Sequence, residues 1–238
     1  MASLTVVVDH VARMRHRMQS DSPDPVAAAV IAQLAGADGI AVHMREDHQP
    51  IQERDLRLLR NTVHGRFIMH MAPTSEMVGY ALEIKPQRVI LMPSLGEAPS
   101  GNGLDLIVHS KSIFETVDTL QSNGISVGIC VSAEPEQAKL THQIRADWVQ
   151  IHAGRLLSAS SPATQSRELD RLIDTVKIAH KLRLRVAVGH GLDFGLIKLF
   201  RGVPEIDEFS VGQSLIARAL LKGLSEAIKE MIETMRNL

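Results

Sequence analysis

Apolar runs rich in β-branched residues recur along the chain, and each is followed by a stretch whose apolar positions return every three or four residues. The runs are LTVVV (4–8), GIAVH (39–43), RFIMH (66–70), RVILM (88–92), SVGICV (126–131), DWVQIH (147–152), LRVAV (184–188) and IDEFSV (206–211). Helical periodicity marks PVAAAVIAQLAG, QERDLRLLRNTV, TSEMVGYALEIK, SIFETVDTLQSNG and SRELDRLIDTVKIAHKL between them. Alternation of this kind predicts βα units feeding a parallel sheet. Thr74, Ser166 and the Asp24–Pro25 pair are expected to open helices, and Gly36 and Gly124 to close them. Eight units in 238 residues predict an α/β fold, a (β/α)8 TIM barrel with extra helices, as one domain over 1–238; such barrels typically take about 250 residues.

Composition narrows the function classes. Charged residues make up 22% of the chain and hydrophobic ones 45%, with a net charge of −1, so neither disorder nor a basic nucleic-acid surface is expected. No apolar run approaches a membrane span, and the N-terminus reaches Asp9 and His10 too soon for a secretory core. The lone cysteine, Cys130, lies in an apolar run and reads as a buried thiol of a cytoplasmic protein.

Chemistry-bearing residues gather where the runs end. Asp9 and His10 follow the first, His43 and Arg45 stand at the second, His70 ends the third and His152 the sixth, while Gly189-His190-Gly191 follows the seventh and Gly212-Gln213-Ser214 the eighth. Barrel enzymes build their sites at this end of the strands. His64, His109, His142 and His180 instead scatter over helical stretches. The glycine turns at 189–191 and 211–214 suggest phosphate cradles, each with a helix N-terminus behind it; tight βα turns are the plainer alternative. The stretches 93–103 and 154–165, both after strands, are expected to be loops, and Ser100 in the first is a candidate substrate contact.

The segments DHVA (9–12), PDP (23–25), AGADGIAVHMRED (35–47), MAPTSEM (71–77), GLD (103–105), IHAG (151–154), GHGL (189–192) and VG (211–212) together resemble the pyridoxine 5′-phosphate synthase family over nearly the whole chain. The resemblance implies a barrel with added helices, assembled as a homo-octamer, without metal or organic cofactor. It implies condensation of 1-deoxy-D-xylulose 5-phosphate with an aminoacetone phosphate, closing a pyridine ring and releasing phosphate and water. Carried over by position, His43 is a general acid or base and His190 a proton donor on the opposite wall. Arg45 anchors a ketose phosphate, Asp9 and His10 hold its polar groups, and Gly191 and Gly212 offer N–H groups to the second phosphate.

Several positions depart from the family pattern. Val7 and Ala187 stand where the resemblance implies asparagine, His70 and Gln150 where it implies glutamate, Met18 where it implies arginine, and Pro50 and Gln213 where it implies histidine. Ala153 replaces a threonine and Ser132 an aspartate. So many lost polar groups imply a changed substrate, since an apolar replacement leaves old ligand groups unpaired at about 1–3 kcal/mol each. His70 beside His43 introduces an imidazole pair whose repulsion is expected to spread their titrations. Two other function classes stay open: a metal-dependent lyase or hydrolase using His10, His43, His70 and His190, and a non-catalytic binder of phosphorylated ligands.

Overall fold

In a closed parallel barrel each strand is covered by helices outside and by its fellows inside, so near-continuous apolar runs are what its strands require. The computed structural model describes residues 1–94 and 103–238. Its strands are β1 (Ser3–Val7), β2 (Gly39–His43), β3 (Arg66–Met71), β4 (Arg88–Leu91), β5 (Ser126–Val131), β6 (Trp148–His152), β7 (Arg185–Gly189) and β8 (Glu208–Val211). All pair in parallel in chain order, and β8 closes on β1 through Leu4↔Phe209 and Val6↔Val211. The predicted single (β/α)8 barrel is therefore the observed fold, with every predicted run forming a strand.

Alternation along the strands splits the apolar residues into two bodies. Leu4, Val6, Phe67, Val149 and Phe209 point outward into the main core beneath the helices. Ala41, Ile68, Ile90, Met92 and Cys130, with Val7 against them, fill the inside of the barrel. Each fully buried aliphatic side chain contributes about 1.5–3 kcal/mol. At the N-terminal end the interior becomes charged: the Arg88 guanidinium donates twice to the Glu208 carboxylate, at 2.7 and 2.6 Å. That guanidinium lies 3.8 Å from the centre of the Trp148 ring.

The helices are α1 (Asp9–Arg17), α2 (Pro25–Leu34), α3 (Glu53–Thr62), α4 (Ser75–Ile84), α5 (Leu106–Ser122), α6 (Pro135–Gln143), α7 (Gly154–Leu157), α8 (Pro162–Lys181), α9 (Gln213–Lys222) and α10 (Leu224–Arg236). Caps form as expected at Asp24, which accepts from the Val26 N–H, and at Thr74, which accepts from Met77. Ser166 does not cap α8. Ser161 does, accepting from the Thr164 N–H with Pro162 behind it, so the helix begins five residues earlier than expected. The stretch 154–165 is accordingly partly helical, holding α7 and the start of α8. No helix among the described residues is long and apolar enough to cross a membrane.

Candidate active site

Strand β1 ends at Val7 and, one residue later, the chain enters α1 with Asp9 in its first turn. A carboxylate there suits the positive end of the helix dipole. Its Oδ1 also accepts the His43 backbone N–H at 2.8 Å, tying the ends of β1 and β2 together. His43 and His70 are register partners on β2 and β3, which sets their rings side by side with centroids 6.4 Å apart. From His70 the series continues to His190 at 5.9 Å, and His190 stacks on His152 at 4.5 Å with rings nearly parallel. Four imidazoles thus form an arc across β2, β3, β7 and β6.

The turn after β7 is held in an uncommon backbone form. His190 has φ +62° and Gly191 φ +84°, a region that costs a residue bearing Cβ about 1–2 kcal/mol. Behind His190, the Gln150 amide N–H donates to its Nε2 at 2.9 Å. An amide nitrogen only donates, so Nε2 is the acceptor and the ring proton resides on Nδ1. His152 is fixed in the other tautomer, because its Nδ1 accepts from the Gly154 N–H at 3.0 Å. At the end of β8, Gly212 leaves no room for a side chain: a Cβ there would lie 3.0 Å from Val7 Cβ and 3.2 Å from His10 Nδ1. That His10 nitrogen is buried without a hydrogen-bond partner among the described residues. Ser214 Oγ donates to the Leu192 carbonyl at 2.7 Å, pinning α9 to the turn after β7.

These groups surround a cavity of about 460 Å³ at the C-terminal mouth, lined by Asp9, His10, Arg13, His43, His70, His190, Gly191, Gly212 and Gln213 among others. Its size suits a small metabolite. Burial governs its electrostatics. It pushes His43 down to about 4, with Arg45 adding to the effect, and His70 down to about 3, with His43 second. It lowers His152 to about 4 and His190 well below the usual imidazole value. The sequence pattern predicted repulsion as the force separating His43 and His70; burial is the larger cause, and both rings are neutral near pH 7. Asp9 moves the other way, raised by burial to about 6 despite the His43 N–H and the charges of Arg13 and Arg45.

The expected residues do not all meet. Asp9, His10, His43, His70, His190, Gly191, Gly212 and Gln213 share the cavity wall. His152 lies behind His190, stacked against it. Arg45 is off the wall, its Nη2 paired with Asp47 Oδ2 at 2.9 Å. Ser100 lies outside the described residues. Only one of the two glycine turns leads directly into a helix: Gly212 opens α9, whereas the turn at 189–191 leads to a short 3-10 helix, Leu196–Phe200. The N–H groups of Gly195 and Leu196 are already taken by Asp193 Oδ1, which leaves the cradle one-sided. Among the described residues no group of three histidine, cysteine or acidic side chains is placed to hold a metal ion.

Arg13 was missing from the expected site, and Gln150 was expected only as a departure from the family pattern, not as the partner of His190. Arg13 could have been found from helical spacing: once Asp9 opens a helix, position 13 lies one turn further along the same face. For Gln150 the signal was strand alternation, which puts 148, 150 and 152 on one face of β6.

A parallel eight-stranded barrel whose strand ends carry histidines, a strained turn and a glycine-opened helix around one cavity is an enzyme scaffold with its site at the C-terminal rim. A sequence model described as pyridoxal phosphate biosynthesis protein PdxJ matches residues 4–237, and the chain belongs to that family. It is 44% identical over 239 residues to a pyridoxine 5′-phosphate synthase of Desulforapulum autotrophicum, covering 100% of each chain. It is 43% identical over 237 residues to that of Desulfatibacillum aliphaticivorans, covering 99% of each. Among solved structures it is similar to a 3-hexulose-6-phosphate synthase, with a TM-score of 0.63 and 13% identity over 98% of this chain and 99% of that one. That last likeness is one of fold alone.

Proposed function

We propose that this enzyme condenses an amino ketone with a phosphorylated carbonyl compound and closes a ring by acid/base catalysis, on a substrate pair altered from that of its relatives. The observation that carries this reading is the cavity wall itself, where neutral imidazoles face a carboxyl group poised near pH 6. A carboxyl with that value exchanges protons readily near neutrality, which suits removal of a proton beside a carbonyl. The neutral rings of His43, His70 and His190 are suited to donate N–H groups to a developing oxyanion or to accept a proton from a carbinolamine. Amine addition to the carbonyl forms the C–N bond, and loss of water gives the imine. The altered substrate is supported by the apolar Val7 and Ala187, and by the uncharged His70 and Gln150, at places where the family pattern has polar or acidic groups.

The test is incubation of purified protein with 1-deoxy-D-xylulose 5-phosphate and an aminoacetone phosphate, and then with related phosphorylated ketoses and amino ketones, following products by mass. A product from a related pair, with the first pair converted poorly, is the expected result. Full-rate pyridoxine 5′-phosphate synthesis would remove the altered substrate, and no product from any pair would remove the catalytic reading. His43→Ala and His190→Ala should abolish turnover in folded protein. The same reading includes a homo-oligomer, supported by Leu34, Leu220 and Leu221 standing exposed on helix surfaces; light scattering measures its mass.

A further inference from the structure

We infer that Arg13 is the specificity residue that makes this cavity select a phosphate monoester. The inference deepens the proposed function and rests on it. Arg13 lines the cavity from α1, one turn beyond Asp9, and faces a wall to which α9 contributes Gln213, Ser214 and Ala217. Gln213 and Ala217 are themselves one turn apart, so the cavity lies between one face of α1 and one face of α9.

The charge inventory isolates Arg13. Its neighbour Arg15 is buried and spent, its guanidinium donating to both oxygens of Asp55 at 2.8 and 2.6 Å and to the Pro50 carbonyl. Arg45 is paired with Asp47 away from the wall. The imidazoles are neutral near pH 7 because burial depresses them. Asp193 also lines the wall, and its Oδ1 is turned to the N–H groups of Gly195 and Leu196. Arg13 is the cation on the wall that forms no ion pair among the described residues, and its field reaches inward to Asp9 and His10. Across from it, Gly212 opens α9 with no side-chain cap, so the first-turn N–H groups have no side-chain acceptor. A guanidinium fork opposite free N–H groups matches the tetrahedral oxygens of a phosphate better than a planar carboxylate, which one fork alone can satisfy.

The experiment compares wild type, Arg13→Ala and Arg13→Lys by calorimetry with inorganic phosphate, 1-deoxy-D-xylulose 5-phosphate and unphosphorylated 1-deoxy-D-xylulose. Wild type should bind both phosphates, more weakly as salt rises. Arg13→Ala should weaken both by about tenfold or more and leave the unphosphorylated sugar unchanged. Arg13→Lys should recover part of the loss, since charge remains and the fork does not. With a competent substrate pair, KM for the phosphorylated partner should rise while kcat holds. Thermal melting should match wild type, because Arg13 is exposed and unpaired. If Arg13→Ala binds phosphate as wild type does while turnover persists, this assignment fails and the proposed function stands. If wild type neither binds phosphate nor turns over any pair, both fail.

Discussion

Asp9 gives a test in which stability and activity should move in opposite directions. Replacing it with asparagine keeps an oxygen for the His43 N–H, now at 2.8 Å, and removes a charge that burial disfavours. Its carboxyl stands at about 6 in the folded protein against 3.8 as a free group. A folded value above the unfolded one means the native state holds the proton more tightly. The favourable contribution is therefore complete below pH 3.8, disappears as pH rises through about 6, and leaves a fixed cost above that. Roughly two pH units correspond to about 3 kcal/mol at 1.36 kcal/mol per unit. Asp9 keeps some solvent contact, and the screening this brings lowers the expected gain to about 1–2 kcal/mol. Urea unfolding of wild type and Asp9→Asn across pH 4 to 8 should show the variant gaining relative stability between about pH 4 and 6 and holding that gain above. Its turnover should collapse, because an amide takes up no proton. A stability difference that is flat with pH, or a variant less stable than wild type at pH 8, would refute the reasoning.

Two other substitutions probe the rest of the barrel. Gln150→Glu sets a carboxylate against His190 Nε2; at about 4 Å and an effective dielectric near 20 the attraction is roughly 4 kcal/mol. The new group's own burial offsets part of this, so a rise of at least about one unit in the His190 titration is expected by nitrogen-detected NMR; an unmoved midpoint counts against the contact. Glu208→Gln leaves the Arg88 guanidinium buried without its carboxylate and should cost about 3–5 kcal/mol. At about 2–4 °C per kcal/mol for a chain of this size, a melting temperature within two degrees of wild type would show that the pair contributes little.

The barrel was legible in the sequence because its strands are buried on both faces and need near-continuous apolar runs, and eight of these alternate with helical periodicity. Helix α1 was obscured because its polar residues, beginning with Asp9 and His10, read as site chemistry rather than as a helix face. The start of α8 was misplaced because both Ser161 and Ser166 precede helical periodicity, and only the structure shows Pro162 continuing from the first. At the site, strand-end positions predicted the histidines but not their protonation, which depends on how deeply the barrel sinks them. Position in sequence marked Arg45 as a ligand residue but did not show the contact between its Nη2 and Asp47, two residues on.

The charged floor of the barrel gives this fold a form of tolerance. Arg88 and Glu208 join β4 to β8 across the interior, and the Trp148 ring on β6 lies within 5 Å of both the Arg88 and the Arg185 guanidinium. The strands are thus cross-braced at the end away from the cavity by contacts that involve no rim residue. Valine at 7 and glutamine at 150 stand nearer the mouth and take no part in the brace beneath it. Evolution can therefore rewrite the chemistry at the top of this barrel one residue at a time without first having to rebuild the cylinder that carries it.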